Sequence, residues 1–304
     1  MTEPTSGAPN PLPYGIAPPG YRLPPTTTVG PVTLQIADLA RSIDYYERTV
    51  GLRVLRGSPK SATLGTQDGA TPLVVLHERP GATPIPKRGR LGLYHFAILL
   101  PDRAALGRFA EHLAASNVYT GMSNHLVSEA IYLTDPDGLG IEVYADRPRG
   151  EWRHDGRQLR IATEPLDVTD VIRAAHGQRW SGMPAGATLG HVHLFVGDLD
   201  ASARFYHEGL GFDKTVWSYP GALFLSAGGY HHHLGTNTWA VGAAPSGEGD
   251  ARLLEWEIRL PSAADAADAL ESLRGVGAQV ERTDDGGTAR DPWGTAVRLR
   301  SVLV

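Results

Sequence analysis

The stretch VTLQIADLARSIDYYERTVG at residues 32–51 returns, altered but recognisable, as VHLFVGDLDASARFYHEGLG at residues 192–211. Both keep Asp-Leu (Asp38-Leu39 and Asp198-Leu199), then Ser42 or Ser202, Tyr46 or Tyr206, and Gly51 or Gly211 at identical spacing. A second pair follows the same logic. FAILLPD at residues 96–102 goes with DPDG at 135–138, and WEIRLPS at 256–262 goes with DPWG at 291–294. The chain is therefore two copies of an AB unit, each letter a module of about fifty residues, a period at which repeated supersecondary units are expected.

Within a module the local signals are consistent. Val32, Leu34 and Ile36 alternate as in a half-buried strand, Asp38 or Ser42 can cap a helix running through Arg48, and Gly51 stops it. Short apolar runs at 52–55, 62–64 and 73–76 complete a β-α-β-β-β pattern. The second module repeats it with a strand at 95–100, a helix at 103–115, and strands at 130–134 and 140–144 around the DPDG turn. The expected division is an extended arm at 1–28, modules at 29–80, 91–148, 189–242 and 252–304, and a connector at 149–188. The Pro/Gly/Thr-rich arm has no regular pattern, though Tyr14, Ile16, Tyr21 and Leu23 can pin it to a surface. One helical piece is expected near 168–176, capped by Asp167 or Thr169. A connector this long must cross the molecule or cover a site.

Composition narrows the chemistry. At 304 residues and 41% hydrophobic content, the chain is long enough to bury substantial cores. A net charge of −5 without a basic stripe argues against nucleic acid and against an anionic membrane surface as partners. No signal-like N-terminus and no long apolar run is present, so the expected location is the cytoplasm. With no cysteine, histidines and carboxylates must carry any catalysis or metal binding.

Modules of this pattern resemble the vicinal oxygen chelate superfamily, and the resemblance implies an α+β fold: four β-α-β-β-β modules paired into two curved-sheet barrels, with a divalent metal on a concave face. Inside that superfamily, His125, then Ile131-Tyr132, Asp135-Pro136-Asp137-Gly138 and Glu142 are similar in spacing to the extradiol ring-cleavage dioxygenase signature. Ser123 is a departure at a position where the signature prefers other residues. A non-haem Fe(II) oxygenase needs two imidazoles and one carboxylate on one face, leaving adjacent positions for an organic chelate and dioxygen. His95 opens the first strand of module two and Glu142 lies in its last. The matching place is Pro31 in module one but His191 in module three, while module four carries Glu255 and Arg298 at the places of His95 and Glu142. The expectation is that modules two and three pair around a metal held by His95, His191 and Glu142, and that modules one and four pair as a structural half. His193, two residues on and on the same strand face, is the competitor of His191.

The resemblance further implies Fe(2+), with Mn(2+) using similar ligands, and ring opening of a catechol-type aromatic diol by dioxygen. It assigns His232, within His231-His232-His233, as the acid/base, with His231 or His233 as alternatives should the register slip. His125 and Tyr132 would hydrogen-bond a substrate or dioxygen-derived oxygen, and Tyr94, Phe96, Leu93 and Trp239 would exclude water from an aromatic ring. His77 and Glu78 look like a metal pair with nothing opposite to complete it. The competing readings are a glyoxalase-like isomerase or thiol transferase on the same scaffold, and a metal-free binder of aromatic compounds. The individual catechol and the oligomeric state, including a homo-oligomer, stay open.

Overall fold

A computed structural model describes residues 14–301. The described part of the arm is seated mainly on module three, with bonds to the connector and to module four. Ile16 bridges Lys214, Leu23 N–H donates to the Gly211 carbonyl, and Arg22 forms a two-pronged pair with Asp213. Tyr14 and Tyr21 reach the carbonyls of Gly229 and Asp265, and Leu23 is buried. The remainder of the expected arm lies outside the described residues.

Two eight-stranded sheets carry the four modules. The first runs, edge to edge, Val280–Thr283, Gly286–Arg290, Ala296–Ser301, Arg252–Leu260, Thr28–Ile36, Pro72–Glu78, Ser61–Gly65 and Arg53–Ser58. This is module four beside module one. The second runs Asp213–Val216, Ala222–Ser226, Leu234–Asn237, Thr188–Phe195, Gly92–Leu99, Gly140–Asp146, Ser128–Thr134 and Gly121–Asn124, which is module three beside module two. In each sheet the junction is an antiparallel pair of opening strands, and each opening strand is flanked on its other side by a parallel neighbour from its own module. Each sheet remains open at its two edge strands.

The helices begin alike because the caps are alike. Asp38, Asp102 and Asp198 accept the N–H of Arg41, Ala105 and Ala201, and Ser262 accepts that of Asp265, each satisfying one of the donors a helix start leaves open. The helix of module one is α-helical over Leu39–Tyr45 and then widens to a π-turn over Tyr46–Val50; that of module three does the same over Leu199–Ala203 and Arg204–Gly209. Gly51, at φ +82°, closes the first of these in the left-handed region, where a side chain would be strained.

The strands sort their side chains by alternation. Val32, Leu34, Phe96, Ile98, Val192, Leu194, Trp256 and Ile258 all enter one continuous core shared by both sheets. The residues between them on the second sheet, His95, Ala97, His191 and His193, face the other way. Phe96 and Leu93 thus belong to the core, correcting the expectation that they line a pocket. The connector carries a helix at Val168–Arg173 capped by Asp167, and a hairpin, His154–Asp155 with Gln158–Leu159, that no pattern announced. Trp152 and Leu159 of the connector pack with Val127, Val216, Phe224 and Tyr230, and Glu164 pairs with Asn124. The connector covers the second sheet.

Candidate metal centre

Across the centre of the second sheet, His191 stands opposite Ala97, and Ala97 stands beside Glu142 on the parallel neighbour. His95 is two residues earlier on the same face as Ala97. Ala97 has only a methyl group and is fully buried. The three longer side chains therefore lean into the space above it and meet. His95 Nε2 lies 3.0 Å from Glu142 Oε2 and 3.3 Å from His191 Nε2, and His191 Nε2 lies 3.2 Å from the same Glu142 oxygen. All three side chains are buried. Among the described residues this is the one grouping of His and carboxylate atoms close enough to share a cation.

The donor set fits a metal. Bonds of about 2.1 Å at right angles place neighbouring ligand atoms roughly 3 Å apart, the spacing seen here. Burial lowers His191 to about 4 against the pull of Glu142, so its ring is neutral at neutral pH and carries the lone pair a metal needs. Glu142 is fully enclosed, which alone would raise it, yet His191 and His95 hold its carboxyl well below the ordinary range. The Nδ1 atoms of His95 and His191 are buried without a partner. Their rings are oriented by packing instead: Tyr94 and Tyr132 lie against His95, and Tyr144 and His232 lie against His191.

His193 does not join this set. It faces the same side, but its ring lies on Gly235, where a Cβ would come within 2.8 Å, and its Nε2 accepts from Asn237 Nδ2 at 3.0 Å. Gly190 serves the neighbouring residue similarly: a Cβ there would sit 1.7 Å from Tyr144 Oη, so only glycine lets Tyr144 pass beside His191. In the first sheet the corresponding places hold Pro31, Glu255 and Arg298, and Arg298 turns to Asp285 at 3.0 Å. Glu78 accepts Leu39 N–H at a helix start, while His77 is exposed.

Around the three converging atoms, the remaining site candidates fall on two walls. On one, the His125 Nδ1–H donates to the Ala162 carbonyl of the connector at 2.8 Å, leaving Nε2 to accept from Tyr132 Oη at 2.6 Å. Tyr132 is buried, and its hydroxyl is held well above its ordinary pKa by that burial and by the Glu142 charge. On the other wall His232 lies against His191, ring centroids 4.1 Å apart, with Phe224 at 4.9 Å. Burial and the surrounding imidazoles keep His232 well below its ordinary pKa, hence neutral. Tyr94, Phe195, Trp239 and Tyr219 extend this aromatic wall. The histidine triplet lies in a bend ahead of the Leu234–Asn237 strand, not in a strand. His231 turns to Asp146, and His233 packs on Phe212 and accepts the Ala227 N–H, away from the triad. Ala97, Gly190, Asn237 and Asp146 all shape the site without having stood out by residue type, and His231 had stood out only as an alternative to His232. Counting register from His95 and His191 would have found Ala97.

Comparison with known proteins agrees with this architecture. A family model described as the Glyoxalase/Bleomycin resistance protein/Dioxygenase superfamily matches residues 28–143 and 188–299. A Bacillus subtilis (strain 168) protein named catechol-2,3-dioxygenase is 40% identical over 270 residues, 88% of this chain and 94% of the relative. Among solved structures, a putative dioxygenase from Bacillus subtilis superposes with a TM-score of 0.64 at 14% identity, covering 93% of this chain and 87% of that one. Glyoxalase I from Zea mays superposes with a TM-score of 0.53 at 19% identity, covering 91% and 92%. These two likenesses concern the fold.

Proposed function

The chain belongs to the glyoxalase, bleomycin resistance protein and dioxygenase superfamily, and on that premise we propose that it is an extradiol dioxygenase cleaving a catechol-type aromatic diol with dioxygen. The observation that carries this reading is the convergence of His95, Glu142 and His191 within 3.0–3.3 Å in a buried, aromatic-walled site. It is supported by the likeness to a protein named catechol-2,3-dioxygenase over most of both chains. The finer parts of the proposal are Fe(II) as the ion, in preference to Mn(II), and the cytoplasm as the location.

His95, His191 and Glu142 would hold the ion, leaving coordination positions on the open side of the triad. When bound there, Fe(II) supplies Lewis acidity toward a diol and a binding place for dioxygen. The rest falls to the protein. The neutral His232 ring stands beside the triad with its Nε2 free of protein partners, suited to take a proton from a diol hydroxyl and to return it later. Tyr132 and His125 form a hydrogen-bonded pair on the opposite wall, so an oxygen between the walls meets a polar group on either side. Tyr94, Trp239, Tyr219 and Phe224 offer ring faces and edges to an aromatic substrate and keep water from it.

The test is oxygen uptake by the full-length chain, reconstituted anaerobically with Fe(II), across a panel of substituted catechols. Stoichiometric uptake with a yellow ring-opened product supports the reading. Stoichiometric iron without uptake on any diol would overturn it.

A further inference from the structure

Beyond the triad, one chain of hydrogen bonds runs from the protein surface to the candidate acid/base. His231 Nε2 lies 2.9 Å from Asp146 Oδ1, and His231 Nδ1 lies 2.7 Å from His232 Nδ1. The same Asp146 oxygen accepts from Tyr230 Oη at 3.1 Å, and Tyr230 in turn pairs with Tyr144 at 2.6 Å. Asp146 is the residue that ends the Gly140–Asp146 strand and is partly exposed; the His231 side chain is fully buried.

The direction of these bonds follows from what each group can do. A carboxylate offers only acceptors, so the proton between Asp146 and His231 must sit on His231 Nε2. With one N–H on an uncharged His231 ring, its Nδ1 is then a lone pair; a charged His231 would instead donate from both nitrogens and put the His232 proton on Nε2, the outcome that overturns the inference below. The 2.7 Å contact between two ring nitrogens needs one proton, and only His232 Nδ1 remains to supply it. His232 Nε2 is thereby left as the bare nitrogen, and its ring geometry turns that atom away from His231. We infer that Asp146, acting through His231, is a positioning residue that fixes the tautomer of His232 so that its lone pair faces the substrate space. The inference rests on the proposed function for the use of that lone pair, but the tautomer itself is set by residues in no contact with a diol.

The logic parallels a carboxylate that orients a catalytic imidazole in hydrolases, lengthened here by one ring. Tyr144 and Tyr230 anchor the carboxylate from the other side, and Trp152 of the connector lies against His231 at a ring separation of 5.4 Å. The connector thus helps hold the intermediate ring in place between its two partners.

The test reads the proton directly. In the full-length, metal-free chain labelled with 15N-histidine, the His232 signals are assigned by their loss in His232→Gln. The expected wild-type pattern is a protonated Nδ1 and a bare Nε2. Asp146→Ala should spread the proton over both nitrogens and, in the iron-loaded protein, lower kcat by roughly 10–100-fold with KM and metal content little changed. Asp146→Asn, whose amide oxygen still accepts, should restore the wild-type pattern. A wild-type His232 protonated on Nε2 overturns the inference, as does an unchanged tautomer in Asp146→Ala. The wild-type spectrum needs no variant, so misfolding of Asp146→Ala leaves the inference testable. A chain inactive on every catechol but showing the expected tautomer would sink the proposed function alone.

Discussion

Tyr46 of module one donates its hydroxyl to Asp135 Oδ2 of module two at 3.1 Å, and Tyr206 of module three donates to Asp291 of module four at 2.9 Å. Both carboxylates open DPxG turns, and each accepts two backbone N–H groups from its own turn, Asp137 and Leu139 in one case, Trp293 and Thr295 in the other. The pair therefore ties the helix of each A module to the turn of the B module that follows it, although those two modules lie in different sheets. These bonds join the two halves of the molecule where strands do not, beside Asp137, which accepts the Ala37 N–H and pairs with Arg41.

Removing one hydroxyl leaves a buried carboxyl short of a donor. Tyr46→Phe should cost about 1–3 kcal/mol of unfolding free energy, and Tyr206→Phe a similar amount. The two sites are distant and share no partner, so the double variant should lose close to the sum. Urea unfolding of the three variants checks this; a clear saving in the double variant would show that the two ties act as one.

Stability should also depend on pH through Asp135. Burial raises its carboxyl to about 7, partly opposed by the N–H groups of Leu139 and Asp137, and Asp291 rises to about 6 for the same reason. A folded-state value above the unfolded one near 3.9 means the native state holds the proton more tightly. The contribution is full below about pH 4 and is lost as pH climbs to about 7, on the order of a few kcal/mol. Asp135→Asn keeps the turn's acceptor and cannot ionise, so its stability profile between pH 4 and 7 should be flatter than that of the wild type. An identical profile would place the titration elsewhere.

The triad makes a prediction about content before activity. His95→Ala, His191→Ala or Glu142→Ala should each lower bound iron, measured by elemental analysis, while the first sheet keeps the protein folded. His193→Ala should retain iron, since that ring is engaged by Asn237 and Gly235. The opposite result for the two histidines would exchange their roles.

Ala97 is the less obvious position. Ala97→Leu leaves every ligand in place but fills the space over which they meet, at an overpacking cost of about 1–3 kcal/mol. It should bind little iron while still unfolding cooperatively, at a midpoint lowered by no more than that cost implies. Normal iron content in this variant would mean the side chains converge elsewhere.

His232→Ala should hold iron and bind a catechol, seen as an absorbance change under anaerobic conditions, yet turn over roughly 10²–10⁴ times more slowly. Wild-type turnover there, with loss in His231→Ala, would move the proton-handling role by one residue.

Much of this was readable from the chain. Module order and the helix starts followed from repeats whose residues do local work: Asp38 and Asp198 cap, Gly51 ends a helix. The two-by-two pairing followed from Pro31 and Arg298 standing where a ligand would be needed. Tyr46 was visible as a repeated letter, but its reason was not, because its partner lies 89 residues away. His191 and His193 share a strand face, so alternation alone could not choose between them; the neighbours Ala97, Gly235 and Asn237 did. Phe96 was misread as a pocket residue because adjacency in sequence to His95 puts it on the opposite face. The π-turns and the connector hairpin depend on tertiary contacts that leave no periodic trace.

The span between the two imidazoles has a consequence for how the protein is made. His95 and His191 meet at the sheet centre but are 96 residues apart, so at about 5–20 residues per second their syntheses are separated by roughly 5–20 s. During that interval a nascent chain has at first His95 alone and then His95 with Glu142, at most two of the three donors. On the proposed function, the metal site is therefore completed only when module three has left the ribosome, and a truncated product ending before residue 191 would lack one of its three donors.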